Sequence, residues 1–544
     1  MANKLSRSIA TLLTVTLLAV SLAGCAGTTA TTTPAAASTT AAQGAATEAA
    51  SSEPITIDWL AYQTSGQPNP DSAIVKAVEE KFNVKFNFWF IDNQSWDDAL
   101  NVKLAAGEMP DVMRVNNLGN LGKYVDMGIV GELPESTIRE LAPNYAKTVD
   151  AYDQNNMIWN ATKYNGKNYG FSMVAIDGTY PTVLMWRTDW LKNVGIEKIP
   201  STLEEFETAM YKFRNEDPDK NGKKDTYGMS TTTIQAVFGA HGILESGKAI
   251  TSEAEQMATS IKDGKVVFNA TQPEAKLALA KLAQYYKDGI IDPEFVTGEN
   301  TGGYWALSHS FMNNRVGVTG QVAFYHYSPP NTAEGEAGGP CYKESISVNP
   351  DMKFEPAVAF AGPNGQSGTE SGGGLGEKFV ITTKGMEDPN KVKAIMSMVD
   401  ALFTDEEYSK LVSWGIEGEN YSIVDNNLQR ASATAAELRE KGITVFFFGS
   451  GSADLYKKYM PSRYEYAETY AKGPGYVRPI VPATETYSKN AETLKKIYQK
   501  AFIEIITGDQ PVDYFDTFVK TFNDNGGTET EAAMTEAYNK MLGK

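Results

Sequence analysis

Short strand-like runs take turns with helical runs of about ten residues from 55 to 115, and this alternation limits the fold more than any other feature. Residues 55–61 alternate apolar and polar side chains, 72–82 have helical spacing, and 84–91 read as a second strand. A second helical run covers 96–106. After Gly107-Glu108-Met109-Pro110 a short strand covers 111–115. A period of two gives a sheet one buried face, and a period of 3.6 gives a helix one buried stripe. Strands joined by helices of this length build βαβ units and a mainly parallel α/β sheet. Ligands of such sheets sit beyond the carboxyl ends of the strands. Those ends fall at Tyr62 and Gln63, at Asp92 and Asn93, and at Asn116 and Asn117.

The pattern continues with strand-like runs at 168–174 and 183–187, separated by a break at 177–181. Pro200-Ser201-Thr202 opens a helix reaching about Phe213, with Thr202 as N-cap and Glu205 as its capping-box partner. Further helices are expected at 273–287, 391–413, 489–507 and 511–524, and no internal repeat is found.

Ahead of the alternation lies a leader with Lys4 and Arg7, an apolar stretch at 9–20, and Leu22-Ala23-Gly24-Cys25. The stretch is too short to span a bilayer comfortably. The whole resembles a bacterial lipoprotein signal with its lipobox. The resemblance implies a signal peptide at 1–24, a lipid thioether on Cys25, and a mature chain held at the outer face of the cytoplasmic membrane. Such a protein has no supply of ATP or NAD and works on what arrives from outside. Residues 26–53 are almost all Ala, Thr, Ser and Gly, with no large apolar residue. They cannot bury enough surface to offset chain entropy, so 25–53 reads as a lipidated cysteine followed by a disordered tether. Its r.m.s. span is roughly 30 Å.

The chain has 544 residues and a formal charge of −18, and losing Lys4 and Arg7 makes it more acidic. That balance argues against nucleic acid and against an anionic membrane surface as partners. Of the two cysteines, Cys341 has no partner once Cys25 carries lipid, so no intrachain disulfide is expected.

Five stretches in order resemble bacterial extracellular solute-binding proteins of ABC importers, and the large calcium-containing oligosaccharide binders among them. They are 104–112, around Gly107-Glu108-Met109-Pro110-Asp111-Val112; Trp186-Arg187-Thr188-Asp189-Trp190-Leu191; Pro200-Ser201-Thr202-Leu203-Glu204-Glu205-Phe206; Gly415-Ile416-Glu417-Gly418-Glu419-Asn420-Tyr421; and Ile505-Ile506-Thr507-Gly508 running to Phe515-Asp516. The resemblance implies a two-lobed periplasmic-binding-protein-like fold of type II, with hinge crossovers and a C-terminal helical region. By position the first lobe takes 54–178 and 320–373, and the second takes 179–319 and 374–544. Crossings are expected near 177–181, 316–320 and 372–376, where Gly372-Gly373-Gly374 would absorb backbone rotation cheaply. It further implies a monomer that captures an oligosaccharide and delivers it to permease subunits.

Asp217-Pro218-Asp219-Lys220-Asn221-Gly222-Lys223-Lys224-Asp225 is the sharpest chemical motif. Oxygen side chains fall at positions one, three, five and nine of an EF-hand-like loop, Gly222 sits at the turn, and Lys223 offers its carbonyl. Calcium, a hard cation, takes such a cage and would staple the loop structurally. Position twelve is Gly228, and Thr226 stands where related binders often have an acidic residue, so the final ligand is open. The alternative is an acidic turn without metal.

Other motifs fail. Gly242 to Ala249 nearly spells a P-loop but lacks the Mg²⁺-binding hydroxyl. His241, His309 and His326 have no zinc spacing, and there is no G-x-S-x-G elbow. Catalytic residues are therefore not assigned. Sugars present apolar faces and hydroxyl rims, which aromatic, amide and charged side chains bind together. The cleft candidates are Tyr62, Gln63, Asn116 and Asn117 on the first lobe, and Asp177, Tyr180, Gln321 and Tyr325 near the crossings. Trp414, Glu417 and Arg463 are the candidates on the second lobe. Trp59 and Trp89 count as packing. An acidic sugar would want Arg114, Arg187 or Arg463 in the cleft. A lipoprotein glycoside hydrolase or lyase, and a receptor feeding a sensor kinase, are the competing functions; peptides remain alternative ligands.

Overall fold

The structure is a computed structural model that describes residues 53–92, 95–154, 156–175, 181–252, 255–296, 306–320, 326–332, 337–447, 453–471, 473–482 and 484–544. Strand β1 (Ile55–Leu60) buries Ile57 and Trp59 and exposes Thr56. It pairs in parallel with β2 (Val84–Phe88) and β3 (Val112–Arg114). Helices α1 (Ala73–Phe82) and α2 (Trp96–Ala105) make the connections. Ser72 caps α1 by accepting from the Val75 N–H at 3.2 Å, and Asn83 ends it at φ 51°. The βαβ reading of 55–115 therefore holds.

Along the chain follow β4 (Phe171–Val174), β5 (Leu184–Arg187), β6 (Val318–Thr319), β7 (Phe354–Ala357), β8 (Thr369–Ser371), β9 (Leu375–Ile381) and β10 (Gly475–Val477). The first sheet has the order β2-β1-β3-β9-β4. Strand β9 runs antiparallel to both its neighbours, so it starts at the edge where β1, β3 and β4 end. The second sheet, β6-β5-β7, is antiparallel throughout, unlike the parallel sheet expected. Pro356 sits in β7, at the edge of that sheet, where its missing N–H costs no ladder bond.

Each sheet has its own core. On the first, Trp59, Phe171 and Phe379 pack with Ile395 and Val399 and with Phe446 and Phe447. On the second, Trp186, Phe206 and Val318 pack with Phe360, Tyr498 and Phe502. Helix α3 (Leu203–Asn215) lies on this second core with its expected capping box complete. Helices α4 (Pro389–Thr404) and α5 (Glu406–Trp414) supply Ile395, Val399 and Val412 to the first core. These pairings correct the expected exchange of segments. Within 320–373, β7 and β8 lie with the second sheet and the link described next. Within 374–544, β9, α4 and α5 complete the first. Strand spacing says that a strand exists, while the pairing of β7 and β9 depends on partners more than 160 residues away.

The link between the sheets is a ribbon of three chain segments. Pro181 bridges Ser371, the Thr182 N–H donates to the Glu370 carbonyl at 2.8 Å, and Thr369 Oγ1 donates to the Thr182 carbonyl at 2.6 Å. Strand β8 pairs in parallel with β10. Two expected crossings, after β4 and at 372–376, fall here. The one expected at 316–320 does not, because Val318 and Thr319 pair with Trp186 and Met185 inside the second sheet. The third crossing comes ahead of α6 (Pro461–Ala471): Tyr459 and Met460 still pack with Trp414, while Ala467 packs with Met185 of the second sheet, and β10 then joins the ribbon. The chain ends in α7 (Glu485–Thr507), α8 (Tyr514–Phe522) and α9 (Thr528–Met541), the C-terminal helical region, of which α9 was not anticipated.

Candidate functional site

The ribbon runs directly into the carboxyl edge of the first sheet. Strand β8 leads through Gly373 and Gly374, at φ 62° and 79°, into β9, and the Ala175 N–H after β4 donates to the Gly374 carbonyl at 3.0 Å. Tyr62 lies buried at this edge, its hydroxyl donating to the Trp89 carbonyl at 2.8 Å, and burial raises its pKa. Tyr62 is thus a packing residue that fixes the edge. Gln63 is half-buried, and its carbonyl accepts from Arg439 Nε at 3.0 Å. Asn116 is half-buried, and its Oδ1 is enclosed without a hydrogen-bond partner among the described residues. Asn117 is exposed and spends its side chain on the Gly119 N–H at 2.9 Å. Phe90 follows β2 and is 43% exposed, an aromatic rim that sequence spacing did not single out.

Charge gathers at the same edge. Arg114 ends β3, and its Nε donates to Glu377 on β9. Lys378 follows on β9; burial lowers its pKa, with Arg114 adding to the effect and Glu377 opposing it. Arg439 is 3% exposed and donates to the Gln63 and Ile443 carbonyls. Burial, helped by Arg114, brings its pKa down to about 10. Glu377, Lys378 and Arg439 escaped sequence reasoning, because no local motif announces them and 376 residues separate Arg439 from Gln63.

Three other expectations change. Trp414 is buried in a cluster with Tyr421 and Tyr459, ring centroids 5.6 Å apart in each pair, so it packs rather than lining a cleft. Glu417 lies exposed on the turn after it, and both residues belong with the first sheet's helices rather than the second lobe. Arg463 is half-buried on α6, 5.8 Å from the Tyr456 ring. Arg187 is 1% exposed, held by Asp189 at 2.6 and 2.8 Å and stacked on Trp190, which removes it from any cleft. Asp177, Tyr180, Gln321, Tyr325 and Cys25 lie outside the described residues.

The acidic loop is wound around Asn221. Its backbone N–H donates to Asp217 and Asp219 at 3.1 and 3.3 Å, and its amide to Asp219 at 2.8 Å and Asp225 at 3.1 Å. Burial raises the Asp219 pKa, and Asp217 and Asp225 add to it. Among the described residues no three acidic, histidine or cysteine side chains come together as a metal-holding group. The donor chemistry suits calcium, since every side-chain candidate but one offers a carboxylate or amide oxygen. That one, Thr226, drops out: it is 1% exposed and donates to the Phe213 carbonyl at 2.7 Å. No acidic residue fits at position twelve either, because a Cβ on Gly228 would sit 2.8 Å from Met210 Sδ.

Comparison with known proteins agrees with this geometry. Residues 73–333 match the family described as bacterial extracellular solute-binding protein. Lipoprotein LipO of Bacillus subtilis is 22% identical over 90% of this chain and 93% of its own. The polygalacturonan/rhamnogalacturonan-binding protein YtcQ of Bacillus subtilis is 22% identical over 95% of each chain. The Streptococcus pneumoniae ABC-transporter substrate-binding protein FusA, solved with kestose, superposes with a TM-score of 0.55 at 18% identity, over 89% of this chain and 99% of that one. The span 73–333 is thus similar to bacterial extracellular solute-binding proteins, and the chain shares its fold with FusA.

Proposed function

We propose that this protein captures an oligosaccharide between two lobes and hands it to the permease of an ABC importer, without chemistry of its own. The ribbon carries the reading: its three paired segments lie together, next to strand ends that hold Asn116, Gln63 and Arg114. Closure about such a link adds contacts from both sides of a ligand. Relatives named for polygalacturonan and kestose support a saccharide ligand. A lipid on Cys25 and the tether at 26–53 would keep the binder beside its transporter, as a monomer. Calcium on Asp217, Asp219, Asn221, Asp225 and the Lys223 carbonyl would staple the loop after α3; its role is structural.

Thermal shift of the purified chain over a panel of oligosaccharides, with and without a calcium chelator, tests this. A ligand at 100 times its dissociation constant stabilises by about 2.7 kcal/mol. Absence of a shift with every saccharide, or release of cleaved product, would sink the reading.

A further inference from the structure

The lobes also meet away from the paired strands of the ribbon. A hairpin at 163–168 is rooted in the first lobe: Lys163 pairs with Asn168, whose amide donates to the Leu133 carbonyl at 2.8 Å, and Tyr164 donates to Asp126 at 2.8 Å. Helix α9 is rooted in the second: Met534 lies in its core, Glu531 accepts from the Phe268 N–H at 2.8 Å, and Thr535 accepts from the Val266 N–H at 2.9 Å. The last turn of α9 crosses to the hairpin. There the Gly166 N–H donates to the Met541 carbonyl at 3.0 Å, and the Lys540 ammonium lies 5.3 Å from the centre of the Tyr164 ring. Gly166 and Gly543, each at φ 72°, meet backbone to backbone. Met541 is 2% exposed, yet it belongs to neither sheet's core. With Ile261 and Tyr538 of the second lobe and Met157 and Asn160 of the first, it lines a cavity of about 450 Å³. Residues 475–480, which contain β10, form the remaining wall. The cavity therefore has a glycine contact on either side. On the ribbon side a Cβ on Gly373 would lie 3.0 Å from Val477 and 3.4 Å from Met157; on the other, a Cβ on Gly166 would lie 2.9 Å from Gly543.

We propose that the tip of α9 is a second pivot for lobe closure, so that the lobes turn about the line joining Gly373 to the Gly166–Met541 contact and do not twist about the ribbon. The proposal rests on the two-lobed capture reading above. A body held at one point keeps every rotation, and a body held at two keeps only rotation about the line between them. Glycines at both points have no side chain of their own to lock the turn, and they absorb backbone rotation cheaply. The cavity between the points gives Met157 and Met541 room to shift as the lobes turn, and unbranched methionine adapts to a changing wall. Without the second pivot, twisted states misalign the two faces of the cleft. Apparent affinity then falls in proportion to the fraction of molecules able to close on a ligand.

Pulsed electron resonance between two nitroxide labels tests this in the full chain carrying Cys25→Ser, without ligand. The labels sit on Val102→Cys in α2 and Leu277→Cys in the helix Pro273–Lys287, positions that are 71% and 56% exposed, one in each lobe. Cys341 is 1% exposed, and burial pushes its thiol up to about 12, so it takes no label. Wild type should give one narrow distance distribution. A chain ending at Lys540, and separately Gly166→Val, should broaden it to distances absent from wild type. Gly264→Val is the control, because Gly264 also turns a hairpin, at φ 75°, but a Cβ there meets nothing within 4 Å. It should keep the wild-type width. Equal widths in wild type, the shortened chain and Gly166→Val, or equal broadening in Gly264→Val, would overturn the pivot and leave capture standing. Capture itself is read separately, by the thermal shift with oligosaccharides, and can fail while the pivot holds. Should the shortened chain not fold, the comparison of Gly166→Val with Gly264→Val decides.

Discussion

Glu245 is fully buried against α7, and Tyr498 donates to its Oε2 at 2.8 Å. Its Oε1 has no partner among the described residues. Burial lifts its pKa from 4.5 to about 8, with the Tyr498 hydrogen bond and Arg478 opposing. The folded chain then holds a proton that the unfolded chain releases near pH 4.5. Stability from this group is full below about pH 4.5 and is lost as pH rises toward 8, by up to about 1.4 kcal/mol per unit. Glu245→Gln keeps an acceptor for Tyr498 without the charge. Urea titrations at pH 5 and pH 8 should show a smaller fall for the variant than for wild type. An equal fall would exclude Glu245 as the cause.

Helix α3 begins with a complete capping box: Thr202 Oγ1 accepts from the Glu205 N–H at 3.2 Å, and Glu205 accepts from the Thr202 N–H at 3.3 Å. Thr202→Ala leaves one orphan donor at the helix start and should cost about 1 kcal/mol in chemical denaturation. The loop after this helix is the metal candidate. Its carboxylates share one hydrogen-bonding partner, Asn221, so their mutual repulsion is only partly relieved. Millimolar calcium should raise the wild-type melting midpoint, and Asp219→Ala or Asp225→Ala should abolish the rise. A wild-type midpoint indifferent to calcium and chelator would leave an acidic turn without metal.

For the whole molecule, the ribbon ties the two sheets together among the described residues. The ribbon needs Gly373 at φ 62°, and a Cβ there would lie 3.0 Å from Val477 on β10. Gly373→Val adds a β-branched side chain in a left-handed conformation, which costs about 1–2 kcal/mol before any clash. It should lower the melting midpoint and reduce the ligand-induced compaction seen by small-angle scattering. Full compaction with unchanged stability would remove the ribbon from the closure mechanism. A second contact lies at the C-terminal end, where the Gly166 N–H donates to the Met541 carbonyl at 3.0 Å. Gly166 meets Gly543 so closely that a Cβ would sit 2.9 Å from its Cα. Gly166 turns a short hairpin in which Lys163 pairs with Asn168, so Gly166→Val should loosen α9 from that hairpin, read as faster amide exchange confined to the last turn of α9.

Sequence alone determined whatever depends on near neighbours. The period-two and helical runs from Ile55 to Val115 gave β1, α1, β2, α2 and β3, and Thr202 with Glu205 announced α3. Five motifs in order carried the resemblance to solute-binding proteins. The sequence also marked Arg114 as a residue an acidic sugar would need. Tertiary structure decided what depends on distant partners. Leu375–Ile381 joins the first sheet and Phe354–Ala357 the second, although fewer than twenty residues separate them, because strand pairing is chosen by shape and burial across the fold. The same physics buried Trp414, tied Arg187 to Asn314, and brought Arg439 to Gln63 and Glu377 to Arg114. A side chain's chemistry is written in its own letter. Whether it packs, pairs or waits for a ligand depends on neighbours that only the folded chain supplies.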